Sequence, residues 1–391
     1  MILLKNGQVF APDPLGMRDI LVCGGQIVAV EKEIELPAWG SNQVFDLEGR
    51  WVIPGLIDSH IHIAGAGGEG GPASRTPPLR LDEIVAAGIT SVVGCLGTDG
   101  ITRDVASVLM QAKAYRQGGL SAWIYTGSYQ IPPPTILGDV ARDIAFIDEV
   151  IGVGEIALAD HRSSLPSVET FAQLAQKAKV AGLLGAKAGI VNIHIGDGPN
   201  PFQLIQKAVA RFGLYYSQFL PTHCNRSRAT FEAAKQYAAE GWIDLTTSSY
   251  HTFSDEEVKA SKALEELLEG GVQPSHITLS SDAGGSLPGF DDSGRMTKMG
   301  RGEPISLFHE VMDAMKTMGD RCNIALATAT RNPAQILKLD RKGEIAPGKD
   351  ADLLVVEHET RTIHRVMCRG RFLPPKVPPV PPSHGIASKA H

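Results

Sequence analysis

The sequence predicts an α/β protein, a (β/α)8 TIM barrel with a small β domain formed from both chain termini. Eight strand-like segments alternate with helical patterns between residues 55 and 340. Short strand-like segments with glycine-containing turns fill residues 1–54 and return at 341–373. Neither terminal segment has enough apolar surface for a core of its own, so we expect the two to share one domain. A doubly wound sheet is the alternative, but it usually has fewer strands.

The composition excludes several classes of protein. Of the 391 residues, 43% are hydrophobic and 20% are charged, as in ordinary globular proteins. The net charge of −6 gives no global attraction to nucleic acid or anionic membranes. No apolar run reaches the roughly 18 residues of a membrane span, and no signal peptide is expected. The five cysteines form no CxxC pair, which predicts neither disulfides nor a cysteine zinc site and favours the cytoplasm.

Turn residues and apolar patterns predict the individual strands and helices. Asn6-Gly7 and Gly24-Gly25, each between short apolar segments, predict two β-hairpins near the N-terminus. The barrel strands are predicted at 56–62, 90–94, 122–127, 151–158, 190–195, 215–221, 242–247 and 277–281. Amphipathic helical patterns between them include 168–181, 228–240 and 255–269. The tail, 374–391, is proline-rich, and we expect it to be extended or disordered.

Histidines and carboxylates at strand ends predict a metal centre. His60 and His62 end the first barrel strand, and residues two apart on a strand point to the same side. A chance pair of polar residues is the alternative for these two alone. Four further strands, however, carry a potential ligand at or just beyond their ends: Glu155, His194, His223 and Asp282. This donor set suits zinc or a similar ion, and its size predicts two metals sharing a bridging carboxylate.

Charged residues near these strand ends predict an anionic substrate. Arg162 and Arg226 each lie within ten positions of a predicted ligand, although a single arginine is more often a surface residue. The hydroxyl of Tyr129, after the third strand, could face the metals. Residues 65–70 match GxGxxG, but prolines follow instead of a helix, so we expect no dinucleotide site there. That loop is better interpreted as backbone beside a ligand, with Glu69 as its charged member.

Longer motifs resemble the amidohydrolase superfamily and, within it, the isoaspartyl dipeptidases. The resemblance covers the chain to about residue 373 and rests on PGLIDSHIH (54–62), HIAGAGGEGGP (62–72), GTD (97–99), DHRS (160–163), LPTHCNR (220–226), SSDAGGS (280–286) and GEIAPGKDADL (343–353). It implies two zinc ions in a barrel and assembly as an octamer. His60, His62 and Asp282 would hold one ion, and His194 and His223 the other. In that family a carbamylated lysine bridges the metals, whereas Glu155 stands at the matching position here, with one residue more beside it.

The resemblance also implies a substrate and a reaction. Glu69 and Ser286 would meet the α-ammonium of a dipeptide, Arg162 and Arg226 its carboxylates, and Gly67 and Thr98 would line the pocket. The expected reaction is hydrolysis of a β-aspartyl isopeptide bond by a metal-bridging hydroxide. Asp282 would transfer the proton, and Tyr129 would face the scissile carbonyl. The alternatives are an N-acyl amino acid deacylase, a cyclic amidase, or a non-catalytic scaffold on the same fold.

Overall fold

The structure is a computed structural model that describes residues 1–36, 42–250, 256–290 and 296–373. It confirms the predicted α/β class and barrel. The predicted proline-rich tail, 374–391, lies outside the described residues. The strands are β1 (Ile2–Phe10), β2 (Pro14–Cys23), β3 (Gln26–Glu31), β4 (Gln43–Asp46), β5 (Trp51–Pro54), β6 (Leu56–Ile61), β7 (Ile89–Gly94), β8 (Ser121–Thr126), β9 (Val150–Leu158), β10 (Ile190–Ile195), β11 (Phe219–Thr222), β12 (Ile243–Thr246), β13 (Ile277–Ser280), β14 (Ser286–Phe290), β15 (Met296–Arg301), β16 (Leu353–Glu357), β17 (Thr362–Cys368) and β18 (Arg371–Leu373).

Helices alternate with the barrel strands, as the sequence pattern predicts. They are α1 (Leu81–Ala86), α2 (Val105–Gln117), α3 (Val140–Phe146), α4 (Val168–Leu184), α5 (Gln203–Phe212), α6 (Arg228–Tyr237), α7 (Ala260–Glu269), α8 (Ile305–Met318), α9 (Cys322–Ala327) and α10 (Arg331–Ile336). The Ser167 side chain caps α4 by accepting a hydrogen bond from the Thr170 amide. In the part of the chain that the structure describes, none of the helices combines the length and apolar character needed to span a bilayer.

Strands β6 to β13 form the barrel. Strands β6 to β11 pair in parallel in one six-stranded sheet, and β12 pairs in parallel with β13. The last strand returns to the first, because the Asp282 amide donates to His60 O at 3.1 Å and the His62 amide to Ala283 O at 2.8 Å. The Cys224 amide donates to Asp244 O at 3.2 Å and joins β11 to β12. The C-terminal ends of all eight strands therefore share one mouth.

Strands from both chain ends form one eight-stranded sheet, in the order β18-β17-β16-β5-β1-β2-β3 with β4 paired to β1. This arrangement agrees with a shared small domain, whose limits at residues 54 and 340 stay predictions. The hairpin at Gly24-Gly25 is confirmed, since β2 pairs antiparallel with β3. The prediction of a hairpin at Asn6-Gly7 is wrong. Residues 2–10 are one strand with a bulge, where Asn6 takes a left-handed conformation and its amide donates to Asp19 Oδ1 at 3.0 Å.

A polar layer fills the barrel beneath the predicted metal ligands. The buried Asp244 carboxylate accepts hydrogen bonds from the hydroxyls of Thr222 on β11 and of Thr278 and Ser280 on β13. Asp58 accepts from both the amide and the hydroxyl of Ser281, so it joins the first barrel strand to the end of the last. Burial raises the pKa of Asp58 to about 7. These bonds fix the strand ends that carry the ligands.

A buried lysine connects the N-terminal end of the barrel to the small sheet. Lys342 Nζ donates to Ser121 Oγ at 2.7 Å, lies 2.9 Å from Asp350 Oδ2 and also pairs with Asp352. The Lys342 side chain is 5% exposed and that of Asp352 is 6% exposed. Asp350 also pairs with Arg341, but the buried Asp352 carboxylate pairs with Lys342, so removal of the ammonium leaves Asp352 without its cation.

We therefore expect Lys342→Met to lower the free energy of unfolding by about 3–5 kcal/mol, the usual cost of breaking a buried ion pair. The measurement is the urea unfolding curve of the full chain. Lys338→Met is the matched control, because Lys338 is exposed and its Nζ contacts only Lys187 O at 3.2 Å among the hydrogen bonds found. Equal unfolding free energies for the two variants would contradict this role of Lys342.

Candidate metal centre and substrate pocket

The six predicted metal ligands come together at the barrel mouth. His60 and His62 lie at the end of β6, Glu155 on β9 and His194 on β10. His223 directly follows β11, Asp282 lies two residues after β13, and both have a left-handed backbone conformation, with φ of 63° and 53°. All six residues have buried side chains apart from Asp282, whose side chain is 16% exposed.

The Glu155 carboxylate lies at the centre of the four histidines. Its Oε1 is 3.5 Å from His62 Nε2. Its Oε2 is 3.3 Å from His60 Nε2, 3.3 Å from His194 Nδ1 and 3.5 Å from His223 Nε2. One carboxylate thus faces both halves of the ligand set, which is the position that a bridging group requires.

A bulge in β9 brings Glu155 to this position. Val191 pairs with Val153 and Ile193 pairs with Ile156, so Gly154 and Glu155 together oppose the single residue Asn192. Compared with the family that the sequence resembles, the chain has one more residue beside Gly154, which predicts a bulge in this strand, and the strand register confirms it. A Cβ at Gly154 would lie 2.7 Å from Asn192 O, so only glycine fits there without displacing the neighbouring strand.

The donor chemistry fits divalent metal ions. Nitrogen and carboxylate atoms within 4.8 Å of one another form overlapping groups, among them Glu155-His194-His223 and His60-His223-Asp282. Burying this many ionisable groups together is costly unless they are paired or hold cations. Imidazole with carboxylate is a typical ligand set for zinc.

Two polar residues that the sequence analysis missed orient the histidine rings. His60 Nδ1 is 3.0 Å from Asn192 Oδ1, and His223 Nδ1 is 2.7 Å from Thr246 Oγ1. Each contact leaves the Nε2 atom of the ring directed at Glu155. Asn192 and Thr246 lie within strands, and no local motif distinguishes them from other buried polar residues.

A pocket of about 670 Å³ opens above the ligands. Its walls include six residues that the sequence analysis places at a substrate site: Glu69, Thr98, Tyr129, Arg162, Arg226 and Ser286. The neighbouring Ala66, not Gly67, lines the pocket. A Cβ at Gly67 would lie 2.3 Å from Ser74 O, so this glycine allows the loop to pack closely behind the wall.

Arg162 is held by two carboxylates. Its Nε and Nη2 atoms bind Asp160 in a bidentate pair at 2.9 and 2.8 Å, and its Nη1 lies 3.2 Å from Glu69 Oε1. Burial alone would raise the pKa of Asp160, but hydrogen bonds from Arg162 and His194 hold that pKa well below its ordinary value. The sequence analysis quoted Asp160 within a motif and gave it no role.

Arg226 and Tyr129 lie on the His194 side of the pocket. Arg226 Nη1 donates to Ile195 O at 2.8 Å and is 3.0 Å from His194 Nε2. The Tyr129 hydroxyl is 2.8 Å from His194 Nδ1, and the Arg162 guanidinium lies 5.0 Å from the centre of the Tyr129 ring. Burial raises the pKa of Tyr129 well above its ordinary value, so the hydroxyl remains a hydrogen-bond donor.

Hydrogen bonds hold the loop that carries Glu69. The Arg103 guanidinium donates to Ala64 O, Ala66 O and Thr76 O at 2.6 to 3.1 Å. The Thr76 hydroxyl donates to Gly284 O at 2.6 Å, beside Asp282. The Ser286 hydroxyl is 3.4 Å from Glu69 Oε2. The loop is therefore tied to the same strand end as Asp282, a predicted metal ligand.

Comparison with known proteins agrees with this geometry. A family model described as the amidohydrolase family matches residues 51–373. A β-aspartyl dipeptidase from Fervidobacterium islandicum AW-1, solved in complex with a β-Asp-Leu dipeptide, is 38% identical, covers 95% of each chain and has a TM-score of 0.89. A second structure of β-aspartyl dipeptidase from this organism is 35% identical, covers 95% of this chain and 96% of that chain, and has a TM-score of 0.85.

Curated relatives carry other names. An adenine deaminase from Mesorhizobium japonicum is 23% identical over 384 residues, which are 94% of this chain and 56% of that protein. A dihydroorotase from Streptococcus pyogenes is 37% identical over 109 residues, which are 27% of this chain and 24% of that protein. The matches therefore span less than two thirds of the length of either relative.

We expect Glu155→Ala to lose bound metal, because the variant removes the only carboxylate that faces all four histidines among the described residues. The unmodified protein should stay fully loaded in CO2-depleted buffer, since a glutamate needs no carbamylation. Metal content after gel filtration is the measurement, and Glu69→Gln is the control. Full metal content in Glu155→Ala, or a requirement for bicarbonate in the unmodified protein, would refute the bridging role.

Proposed function

The chain belongs to the amidohydrolase family, and we propose that it is an isoaspartyl dipeptidase. It would hydrolyse the amide between the side-chain carbonyl of an isoaspartate and the following residue. The observation that carries this proposal is the set of charged side chains, Glu69, Arg162 and Arg226, in one pocket above the buried ligands. Similarity to the F. islandicum enzyme, which was solved with a β-Asp-Leu dipeptide, supports the choice of substrate.

The charges of the pocket match those of the substrate. An isoaspartyl dipeptide carries one ammonium group and two carboxylates near neutral pH. Arg162 and Arg226 could each take a carboxylate, and Glu69 with Ser286 could take the ammonium. Asp160 already pairs with Arg162, so that guanidinium is oriented before a substrate arrives. Such orientation lowers the entropic cost of placing the scissile bond over the ligands.

The ligand set supports two divalent cations, with zinc as the expected metal. His60, His62 and Asp282 would hold one cation, His194 and His223 the other, and Glu155 would lie between them. When bound, the cations would supply a hydroxide nucleophile near neutral pH and polarise the scissile carbonyl.

Asp282 and Tyr129 are the proposed catalytic residues. The Asp282 carboxylate, partly exposed to the pocket, would accept the proton of the attacking hydroxide and transfer it to the leaving amine. The Tyr129 hydroxyl, kept protonated by burial, would donate a hydrogen bond to the oxyanion that forms on the carbonyl. Assembly as an octamer and a cytoplasmic location remain predictions from the resemblance and the composition.

Two other amidohydrolase reactions are the competing proposals. The curated relatives favour a cyclic amidase of the dihydroorotase kind. An N-acyl amino acid deacylase would use the same ligands but would not need a carboxylate for an α-ammonium. A non-catalytic scaffold is disfavoured, because all six ligand positions hold residues that can bind metal.

A substrate panel tests the proposal. We expect the metal-loaded protein to hydrolyse β-Asp-Leu and to leave α-Asp-Leu intact. The two dipeptides carry the same charged groups but differ in which carboxyl of the aspartate forms the amide bond. N-acetyl-leucine, dihydroorotate and adenine are the remaining substrates. Product formation is followed by chromatography. Turnover of one of these three without turnover of β-Asp-Leu would reject the dipeptidase in favour of the corresponding activity.

Glu69→Gln should lower kcat/KM for β-Asp-Leu by roughly 10–100-fold, because it replaces a charge-assisted hydrogen bond worth about 1.5–3 kcal/mol. N-acetylation of the substrate should abolish the difference between the variant and the unmodified protein. Glu303→Gln, which changes an exposed carboxylate outside the pocket, is the matched control. An unchanged kcat/KM in Glu69→Gln would remove Glu69 from the binding site.

A further inference from the structure

A cysteine lies against the first pair of metal ligands. Cys95 directly follows β7 and is completely buried. Its Sγ is 3.7 Å from His60 Nε2 and 3.7 Å from His62 Nδ1. Its amide donates to Ile61 O at 3.1 Å, which fixes the residue beside the strand that carries both histidines.

The surroundings of Cys95 differ from those of the other buried cysteines. The thiol of Cys224 donates to Pro221 O at 3.4 Å, as that of Cys95 does to Ile61 O at 3.7 Å, and Cys368 lies in the small sheet. Neither belongs to a group of potential metal ligands among the described residues. Cys95, in contrast, forms such a group with His60, His62 and Glu155, in which the ligand atoms lie within 4.8 Å of one another.

We propose that the Cys95 thiolate is a metal ligand on the His60–His62 side of the centre. The thiolate would join His60, His62 and the carboxylates of Glu155 and Asp282. Imidazole, carboxylate and thiolate are all zinc ligands, and the nitrogen-to-sulfur separation of 3.7 Å is close to that expected between two neighbouring ligands of one zinc ion. The sequence contains no CxxC pair, and such spacing cannot reveal a single cysteine that joins histidines from another strand.

Charge balance favours this ligand. Two divalent cations in a buried place would carry four positive charges, whereas the carboxylates of Glu155 and Asp282 and a bound hydroxide would supply three negative ones. A thiolate would bring the site to neutrality, which lowers the cost of burying the cations. Thiolate also prefers zinc, cadmium and cobalt over magnesium or manganese, so Cys95 would narrow the range of metals that the site accepts.

The test uses the full chain reconstituted with cobalt(II), because thiolate bound to cobalt gives a near-ultraviolet charge-transfer absorption that imidazole and carboxylate do not give. We expect this absorption in the unmodified protein and in Cys368→Ala, the buried control, and its loss in Cys95→Ala and Cys95→Ser. The metal dissociation constant, measured against a chelator, should rise at least about tenfold in both Cys95 variants, since even groups behind the ligands contribute 10–100-fold to affinity.

The proposal fails if the unmodified protein binds no cobalt, if the absorption is missing from it, or if the absorption persists in the Cys95 variants. Cys95→Ser keeps the side-chain volume nearly unchanged, so a packing role alone would leave its metal affinity intact. The inference rests on the proposed metal centre and not on the substrate. A protein that shows the absorption and does not cleave β-Asp-Leu would therefore reject the dipeptidase and leave the ligand assignment standing.

Discussion

One carboxylate among four imidazoles is the constraint on which the rest of the site depends. Glu155 can face all four histidines because β9 bulges at Gly154. The bulge needs a glycine at this position, because the opposing Asn192 leaves no room for a Cβ. The Asn192 side chain then orients His60. The bulge thus places the Glu155 carboxylate, and the residue opposite the bulge orients the His60 ring. Metal binding would require both the carboxylate and the ring in these positions.

The sequence predicted the parts of the structure that repeat. Strand and helix periodicity predicted the barrel, and the rule that barrel sites lie at C-terminal strand ends predicted the cluster of potential ligands, including Glu155. The layer around Asp244 could not be predicted, because its hydrogen-bond partners lie on strands that are distant in the sequence. The prediction of a hairpin at Asn6-Gly7 is wrong because a left-handed Asn suits a bulge as well as a turn. Pairing with β2 and β4 favours the continuous strand.

In the pocket above the predicted ligands, too, the sequence predicts some residues and not the partners that hold them. The arginines could be identified by their distance from the ligands along the chain, but their partners could not. Asp160 turns Arg162 from a flexible side chain into an oriented group, and it also lies 3.1 Å from His194 Nε2. This second contact links the charge state of the pocket to a predicted metal ligand. A change of Asp160 would therefore disturb substrate binding and the ligand set together.

Glycines set the spacing of this centre as much as the ligands do. A Cβ at Gly97 would lie 3.1 Å from His62 Cε1 and 3.5 Å from Glu155 Oε1, and a Cβ at Gly284 would lie 2.4 Å from His62 O. Backbone therefore packs directly against the His62 ring on one side and its carbonyl on the other. Since this ring cannot move away from its neighbours, the distances from His62 to Glu155 and Asp282 are determined by the fold before any ion binds. Cys95 lies two residues before Gly97, in the same segment after β7. Its thiol contacts the histidines from this side and does not line the pocket.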